Sequence, residues 1–127
     1  MNMKLRCSGI KLKAATWDDI ESVMPKLKKN TTFVLTVDPK PESGPRELYI
    51  EAENGNYRPI MMNVGGTGKS YYDPSVRGTG MIEIGGYDYD PIGITQDYDL
   101  IVRIIREFFH TGNVSPELWK PQPKKEE

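Results

Sequence analysis

The residue types that most often carry catalysis are scarce in this sequence. It contains one histidine, His110, and one cysteine, Cys7, which lie near opposite ends of the chain. A cysteine nucleophile needs a base within hydrogen-bonding distance and a third group that orients the base. His110 falls near the end of a predicted helix, where the helix dipole stabilises an imidazolium, and Cys7 is expected to be a small core residue. These residues predict that the protein is not an enzyme.

Metal and cofactor chemistry has equally few candidate residues. A structural zinc site needs four nitrogen or sulfur ligands, which one histidine and one cysteine do not supply. Asp88 and Asp90 could form a carboxylate pair for acid–base or metal chemistry, but no convergent group supports that role. We therefore expect no metal and no cofactor.

A glycine-rich stretch, Gly66-Thr-Gly-Lys-Ser70, ends like a phosphate-binding P-loop. That motif has a further glycine separated by four residues from its Gly-Lys-Ser, and this position is Asn63. It also needs a helix directly after the lysine, but Tyr71 to Pro74 are a poor helix start. Residues 65–80 are therefore predicted to be a loop throughout. A small ligand-binding or nucleotide-binding domain that uses residues 65–73 is the alternative function.

The most informative cluster lies between Arg77 and Arg103, where five carboxylates and three tyrosines occur without a lysine or an arginine. Aromatic side chains beside acids form an electronegative surface that suits a basic protein partner. Helix capping explains Asp97 and Asp99 equally well, because negative charge is favoured at a helix N-terminus. For the block as a whole we predict a protein-binding interface made of Glu83, Tyr87, Asp88, Tyr89, Asp90, Asp97, Tyr98 and Asp99.

The element that positions this block is an amphipathic helix predicted over residues 97–112. Its apolar side chains follow the three-and-four spacing of one helical face, while Arg103, Arg106, Glu107 and His110 follow it on the opposite face. Gly112 stands where a left-handed C-terminal cap is expected. So wide an apolar face must be covered, and we expect a sheet to cover the face formed by Leu100, Ile101, Val102, Ile104, Ile105, Phe108 and Phe109.

The segments before this helix predict that sheet. Asn54-Gly55 between two alternating runs indicates a hairpin, and Pro59 in the returning strand indicates an edge or an outward-facing amide. Thr16 should cap a helix over 17–29 that kinks near Pro25. We predict an α+β fold with an antiparallel sheet of about five strands and two helices. The strands are expected within 3–15, with a break at Ser8-Gly9, and over 33–37, 47–53, 57–64 and 81–84.

The chain is predicted to form a single globular domain over residues 1–119, followed by a disordered tail over 120–127 that has few apolar residues. The formal net charge of −1 does not indicate a nucleic-acid binder. A lone cysteine fits a reducing compartment. Neither a signal peptide nor a membrane-spanning apolar run is visible. We therefore expect a cytoplasmic protein that contacts neither nucleic acid nor a membrane directly.

The C-terminal third resembles the first-numbered family of bacterial immunity proteins, over about residues 80–119. The resemblance rests on Pro91-Ile-Gly-Ile94, on Arg106-Glu-Phe-Phe-His-Thr-Gly112 and on Trp119, which matches the family's C-terminal tryptophan. It implies a small α+β protein that binds and neutralises a cognate toxin of a polymorphic toxin system, such as contact-dependent inhibition, in the producing cell. The toxin that the resemblance implies is a nucleic-acid deaminase or, more broadly, a nuclease, and either would present a basic active-site cleft.

Overall fold

A computed structural model describes residues 1–76 and 80–120 of the chain. These residues form eight strands, two α-helices and two short 3-10 helices, Met24–Lys28 and Pro91–Gly93. The elements are β1 Asn2–Cys7, β2 Ile10–Leu12, α1 Trp17–Val23, β3 Thr31–Asp38, β4 Pro45–Glu53, β5 Asn56–Asn63, β6 Gly68–Ser70, β7 Ile82–Ile84, β8 Tyr87–Tyr89 and α2 Tyr98–Thr111.

The main sheet is antiparallel, with six strands in the order β2-β1-β3-β4-β5-β6, and β7 pairs with β8 in a second, two-stranded sheet. The predicted break at Ser8-Gly9 is the turn between β1 and β2, where both residues have positive φ. The Asn54-Gly55 turn joins β4 to β5 as expected. The predicted α+β class, with an antiparallel sheet packed against two helices, is confirmed.

The first helix follows the local signals in its sequence. The Thr16 hydroxyl accepts from the Asp19 amide at 3.2 Å, and the Asp19 carboxylate accepts from the Thr16 amide at 2.8 Å. This reciprocal pair is a capping box, so Thr16 caps the helix as predicted. Pro25 ends the α-helical turn pattern, since α1 stops at Val23 and a 3-10 helix runs over Met24–Lys28.

The second helix closes the core. Asp97 caps its start, and Gly112, with φ of 75°, ends it in the left-handed conformation that was predicted. Ile101, Ile104 and Phe108 are fully buried in the same cluster as apolar side chains from β1, β3, β4 and β5. The predicted apolar face is therefore the buried face. We call the side of the main sheet that carries α1 and α2 the helix face.

The opposite side of the main sheet, the open face, is only partly covered. Arg58 belongs to it, since its neighbours Tyr57 and Pro59 are buried on the helix face. The guanidinium of Arg58 lies 3.9 Å from the centre of the Tyr89 ring, and β7 contacts β4. The β7–β8 hairpin therefore lies over β4 and β5 on the open face.

Two parts of the predicted layout differ from the structure. Residues 65–80 were expected to be a loop throughout, but Gly68–Ser70 form β6, which pairs with Ile60–Met62. Tyr87–Tyr89 also form a strand that was not predicted. Strands of three residues are too short to show an alternating pattern, so only their pairing partners define them.

Pro59 lies within the sheet because β6 follows β5 in the strand order. Its carbonyl accepts from the Tyr71 amide at 3.0 Å, just beyond the end of β6. A strand residue directs its amide and carbonyl to the same side, so the missing donor faces away from the β4 ladder. The predicted edge position is therefore wrong for β5, whereas the predicted outward orientation is correct.

Candidate protein-binding surface

The β7–β8 hairpin carries half of the predicted interface. Gly85 and Gly86 form its two-residue turn with φ of 62° and 85°. Positive φ at both positions is what a type I′ turn requires, and glycine adopts it without steric cost. Glu83 and Asp88 lie directly opposite each other across the two strands, and both are exposed. The hairpin therefore presents two like charges as a cross-strand pair.

The hairpin has one buried side and one exposed side. Glu83 and Asp88 lie on the exposed side, whereas Ile84 and Tyr87 are paired with each other on the side that faces the sheet. On that side Ile84 is 2% exposed and anchors the hairpin, but Tyr87 remains 70% exposed. Met81, immediately before β7, is 61% exposed. Large apolar side chains at such exposure next to charged residues are a feature of contact surfaces. Tyr87, Glu83 and Asp88 thus form the most accessible part of the hairpin.

The second tyrosine of this sequence block, Tyr89, has a cation beside it. Arg58 stacks on the Tyr89 ring and also forms an ion pair with Glu51, with Nη1 and Oε1 3.0 Å apart. The five carboxylates of the block form no ion pair among the described residues, so Arg58 contacts the block only through the Tyr89 ring. Arg58 is more than twenty residues away in the sequence, so only the pairing of β4 with β5 brings it there. Tyr89 therefore fixes the hairpin to the sheet.

Two of the predicted interface carboxylates cap helices. The Asp90 carboxylate accepts from the Ile92 amide at 3.0 Å and begins the 3-10 helix. The Asp97 carboxylate accepts from the Leu100 amide at 3.1 Å and begins α2. Both side chains remain exposed. Capping therefore accounts for their presence, while their charge stays accessible to a partner.

Tyr98 and Asp99 belong to the first turn of α2. The Tyr98 ring centre is 6.0 Å from that of Tyr57, and Lys28 Nζ lies 4.8 Å from the Tyr98 ring centre. Burial is the main cause that raises the pKa of the Tyr98 phenol, and nearby Tyr57 and Asp99 add to the effect. Tyr98 is therefore half-buried and packs in the fold, whereas Asp99 is exposed.

The structure divides the predicted interface into two groups. Glu83, Tyr87, Asp88 and Tyr89 are on the hairpin over the open face, and Asp97, Tyr98 and Asp99 start the helix on the opposite face. The connection passes β5 at one edge, where Thr95 and Tyr57 exchange backbone hydrogen bonds of 2.8 and 2.9 Å. A partner that contacts the hairpin tip therefore meets only the first group.

The structure does not bring together the other residues that were considered for catalysis or ligand binding. Cys7 is buried with its Sγ 3.8 Å from Thr31 Oγ1, whereas His110 is exposed at the end of α2. Lys69 lies in β6, with no helix after it among the described residues up to 76. In the part of the chain that the structure describes, no group of three His, Cys, Asp or Glu side chains could hold a metal.

Trp119 closes the end of the domain near β6. It is fully buried, its indole Nε1 donates to the Ser70 carbonyl at 3.2 Å, and its ring meets Tyr71 edge to face. The Glu107 carboxylate accepts from the amide and the hydroxyl of Ser115, which holds this segment against α2. Val114 and Trp119 both belong to the buried core. Of the predicted tail over 120–127, all but Lys120 lies outside the described residues.

Sequence reasoning missed the hairpin itself. Its signal was present, because Gly85-Gly86 separates Ile84 from Tyr87 and two glycines are a preferred type I′ pair. The position of Arg58 had no sequence signal, since it depends on strand order. None of the helices among residues 1–76 and 80–120 is long and apolar enough to cross a membrane.

Fold and surface together define a small α+β protein with an exposed acidic and aromatic hairpin. The chain belongs to a family of unknown function, DUF6911, whose model matches residues 2–118. Its fold is similar to the crystal structure of a hypothetical protein from Neisseria gonorrhoeae, with a TM-score of 0.65 and 24% sequence identity. That match covers 89% of this chain and 91% of the other. None of the curated proteins matches the sequence.

Proposed function

We propose that this protein is an immunity protein that binds and neutralises a cognate bacterial toxin in the cytoplasm of the producing cell. The resemblance of residues 80–119 to an immunity family motivates this proposal, and the family description assigns no activity that bears on it. The proposed toxin is a deaminase or nuclease that acts on nucleic acid. Inhibition requires binding alone, so the protein needs no catalytic residues of its own.

One observation carries the proposal: the hairpin exposes Tyr87 beside two directly opposed carboxylates, Glu83 and Asp88. Like charges opposite each other destabilise a strand pair. Among the described residues neither carboxylate forms an ion pair. A cationic partner would offset this repulsion, and Tyr87 would supply apolar contact area at low entropic cost.

The expected partner surface follows from the chemistry of nucleic-acid binding. A protein that grips phosphates presents lysine and arginine side chains in a cleft. A hairpin that projects from a rigid sheet can enter such a cleft with its turn first. The electrostatic part of the contact should steer association, and the aromatic part should slow dissociation.

The proposal predicts that a neighbouring gene encodes the toxin, and binding kinetics with that gene product test it. The Glu83→Gln/Asp88→Asn variant should lower the association rate and reduce its dependence on ionic strength. Tyr87→Ala should instead raise the dissociation rate, by about 30-fold if the side chain is a hot spot worth ~2 kcal/mol. The matched control is Glu21→Gln/Glu42→Gln, which removes two exposed carboxylates elsewhere and should bind normally.

Two results would contradict the proposal. If the wild-type protein neither binds the neighbouring toxin nor protects cells that express it, the protein is not its immunity partner. If binding is tight but the hairpin variants and the control variant behave alike, the interface lies elsewhere on the molecule.

A further inference from the structure

A basic groove occupies the uncovered half of the open face. Lys4 and Arg6 of β1, Lys11 of β2 and Lys13 just after it line a cavity of about 360 Å³. Val34 and Thr36 of β3 contribute apolar and neutral side chains to the same groove. All four cationic side chains are exposed. This groove combines a concave shape with four positive charges.

The cations of the groove are not neutralised within the fold. Arg6 lies directly opposite Lys11 in the β1–β2 register, so the pair repels as Glu83 and Asp88 do. The ion pair found among the described residues joins Arg58 to Glu51 and includes none of the four. Thr36 on β3 lies opposite Lys4 and Glu47 on β4 lies opposite Thr36, so the backbones of Lys4 and Glu47 are about 10 Å apart. Asp38 on β3 lies diagonal to Lys4, but the two side chains form no ion pair among the described residues.

The polar side chains at the edge of the groove form hydrogen bonds with one another. The Glu47 carboxylate accepts from Thr36 Oγ1 at 3.1 Å and from the Tyr49 hydroxyl at 3.4 Å. Arg6 also faces the Tyr49 hydroxyl. These contacts leave the lysines of the groove without a carboxylate partner in the described part of the chain.

The groove and the acidic hairpin lie on the same face of the sheet but over different strands. The groove spans β2, β1 and β3, and the hairpin covers β4 and β5. The open face therefore has a concave basic half and a projecting acidic half, side by side. A twofold axis parallel to the strands would place the hairpin of one molecule over the groove of a second.

We propose that the open face mediates a symmetric dimer in which the β7–β8 hairpin of each copy docks into the basic groove of the other. Each contact would bring Glu83 and Asp88 toward Lys4, Arg6, Lys11 and Lys13, and would cover Tyr87 and Met81. The same two patches meet twice, as an isologous interface requires. Because its charges are exposed, the dimer weakens as salt concentration rises.

The dimer and a complex through the hairpin exclude each other, since both cover Glu83, Tyr87 and Asp88. This consequence rests on the proposed function, but the dimer itself does not. Its test needs only the protein, so failure of one proposal is distinguishable from failure of the other.

A charge exchange between the two patches tests the dimer by sedimentation velocity over a concentration series. Glu83→Lys/Asp88→Lys changes the hairpin charge from −2 to +2, and Lys4→Glu/Lys11→Glu/Lys13→Glu changes the groove charge from +4 to −2. Each variant alone should dimerise at least about tenfold more weakly than wild type. An equimolar mixture should dimerise again, because both reciprocal contacts then join opposite charges.

Two control variants carry the same charge changes at exposed residues outside the hairpin and the groove. Glu21→Lys/Glu42→Lys matches the hairpin variant, and Lys26→Glu/Lys29→Glu/Lys40→Glu matches the groove variant. Both should dimerise like wild type. Circular dichroism establishes that every variant is folded, and Asp88→Lys with Lys11→Glu serves as a milder pair if either multiple variant unfolds.

Three outcomes would overturn the dimer. The first is a wild-type protein that stays monomeric up to about 1 mM, where even weak association is visible. The second is a mixture of the two exchange variants that remains monomeric. The third is a monomeric wild type whose groove instead binds a labelled single-stranded oligonucleotide, which would assign the groove to a nucleic-acid ligand.

Discussion

At the scale of single residues, position rather than side-chain type decides what a carboxylate does here. Asp97 and Asp99 are two residues apart, and both are exposed. Only Asp97 accepts the hydrogen bond of the Leu100 amide, which has no partner within the helix. Asp99 carries a negative charge near the positive end of the helix dipole and beside the Tyr98 phenol. Asp97 therefore stabilises α2 as its N-cap, whereas Asp99 contributes only surface charge.

Asp97→Ala should lower the free energy of unfolding by about 1 kcal/mol, because the first turn of α2 loses its cap. Asp99→Ala should lower it by only a few tenths of a kcal/mol, through the dipole alone. Urea denaturation of both variants measures the difference. Asp97→Asn is the control, since asparagine also caps helices and should restore most of the stability. Equal losses for the two alanine variants would contradict the assignment of the cap.

At the scale of elements, α2 holds the domain together with both of its faces. Its apolar face is buried in the core, and its polar face also makes contacts. The Arg106 guanidinium lies 5.2 Å from the centre of the Trp17 ring, and the Trp17 ring packs against Phe109 with centres 5.6 Å apart. The polar stripe predicted from the sequence therefore includes a contact with α1.

Phe108→Ala should lower the free energy of unfolding by ~3–5 kcal/mol, because a fully buried ring leaves a cavity. Arg106→Ala should cost about 0.5–1 kcal/mol through its lost contact with Trp17. Arg103→Ala removes the same side chain at an exposed position of the same helix and should stay within about 0.5 kcal/mol of wild type. Denaturant unfolding of the three variants measures the order. If Arg103→Ala lowered the free energy of unfolding as much as Phe108→Ala, the assignment of the buried and exposed faces of α2 would be wrong.

At the scale of the whole molecule, buried tyrosines connect separate elements. Tyr57 of the sheet packs against Tyr98 of α2, and Tyr71 packs against Trp119 of the C-terminal segment. Burial raises the pKa of Tyr57, and burial with repulsion from Asp73 and Asp97 raises the pKa of Tyr71. The folded protein therefore favours the neutral phenol, whereas the unfolded chain loses this proton near pH 10. Above that pH the unfolded chain binds fewer protons, so folding stability decreases as pH rises further.

Urea denaturation from about pH 8 to about pH 11 should therefore show a falling free energy of unfolding above about pH 10. Tyr71→Phe should reduce this slope, because one buried phenol no longer titrates. Tyr87→Phe removes an exposed phenol and is the matched control, with a slope like that of wild type. A Tyr71→Phe slope identical to that of wild type would contradict the role of burial at this residue.

Elements whose signals lie within a few residues were predictable from the amino-acid sequence. The limits and the buried face of α2, the capping box at Thr16 and the turn at Asn54-Gly55 were all predictable. Caps, tight turns and helical periodicity depend on neighbouring residues along the chain, so their physical causes are visible in the sequence. The same local logic identified the α+β class.

The arrangement of the surface depends on how the strands and helices pack, and it was not predictable from local patterns. The short strand β6, the stacking of Arg58 on Tyr89 and the basic groove all depend on which strands become neighbours. One continuous acidic block of sequence was divided between two sides of the sheet because the chain passes the edge of β5 at Thr95. Contacts between residues far apart in the chain follow from the packing of the whole sheet, and local residue patterns do not encode that packing.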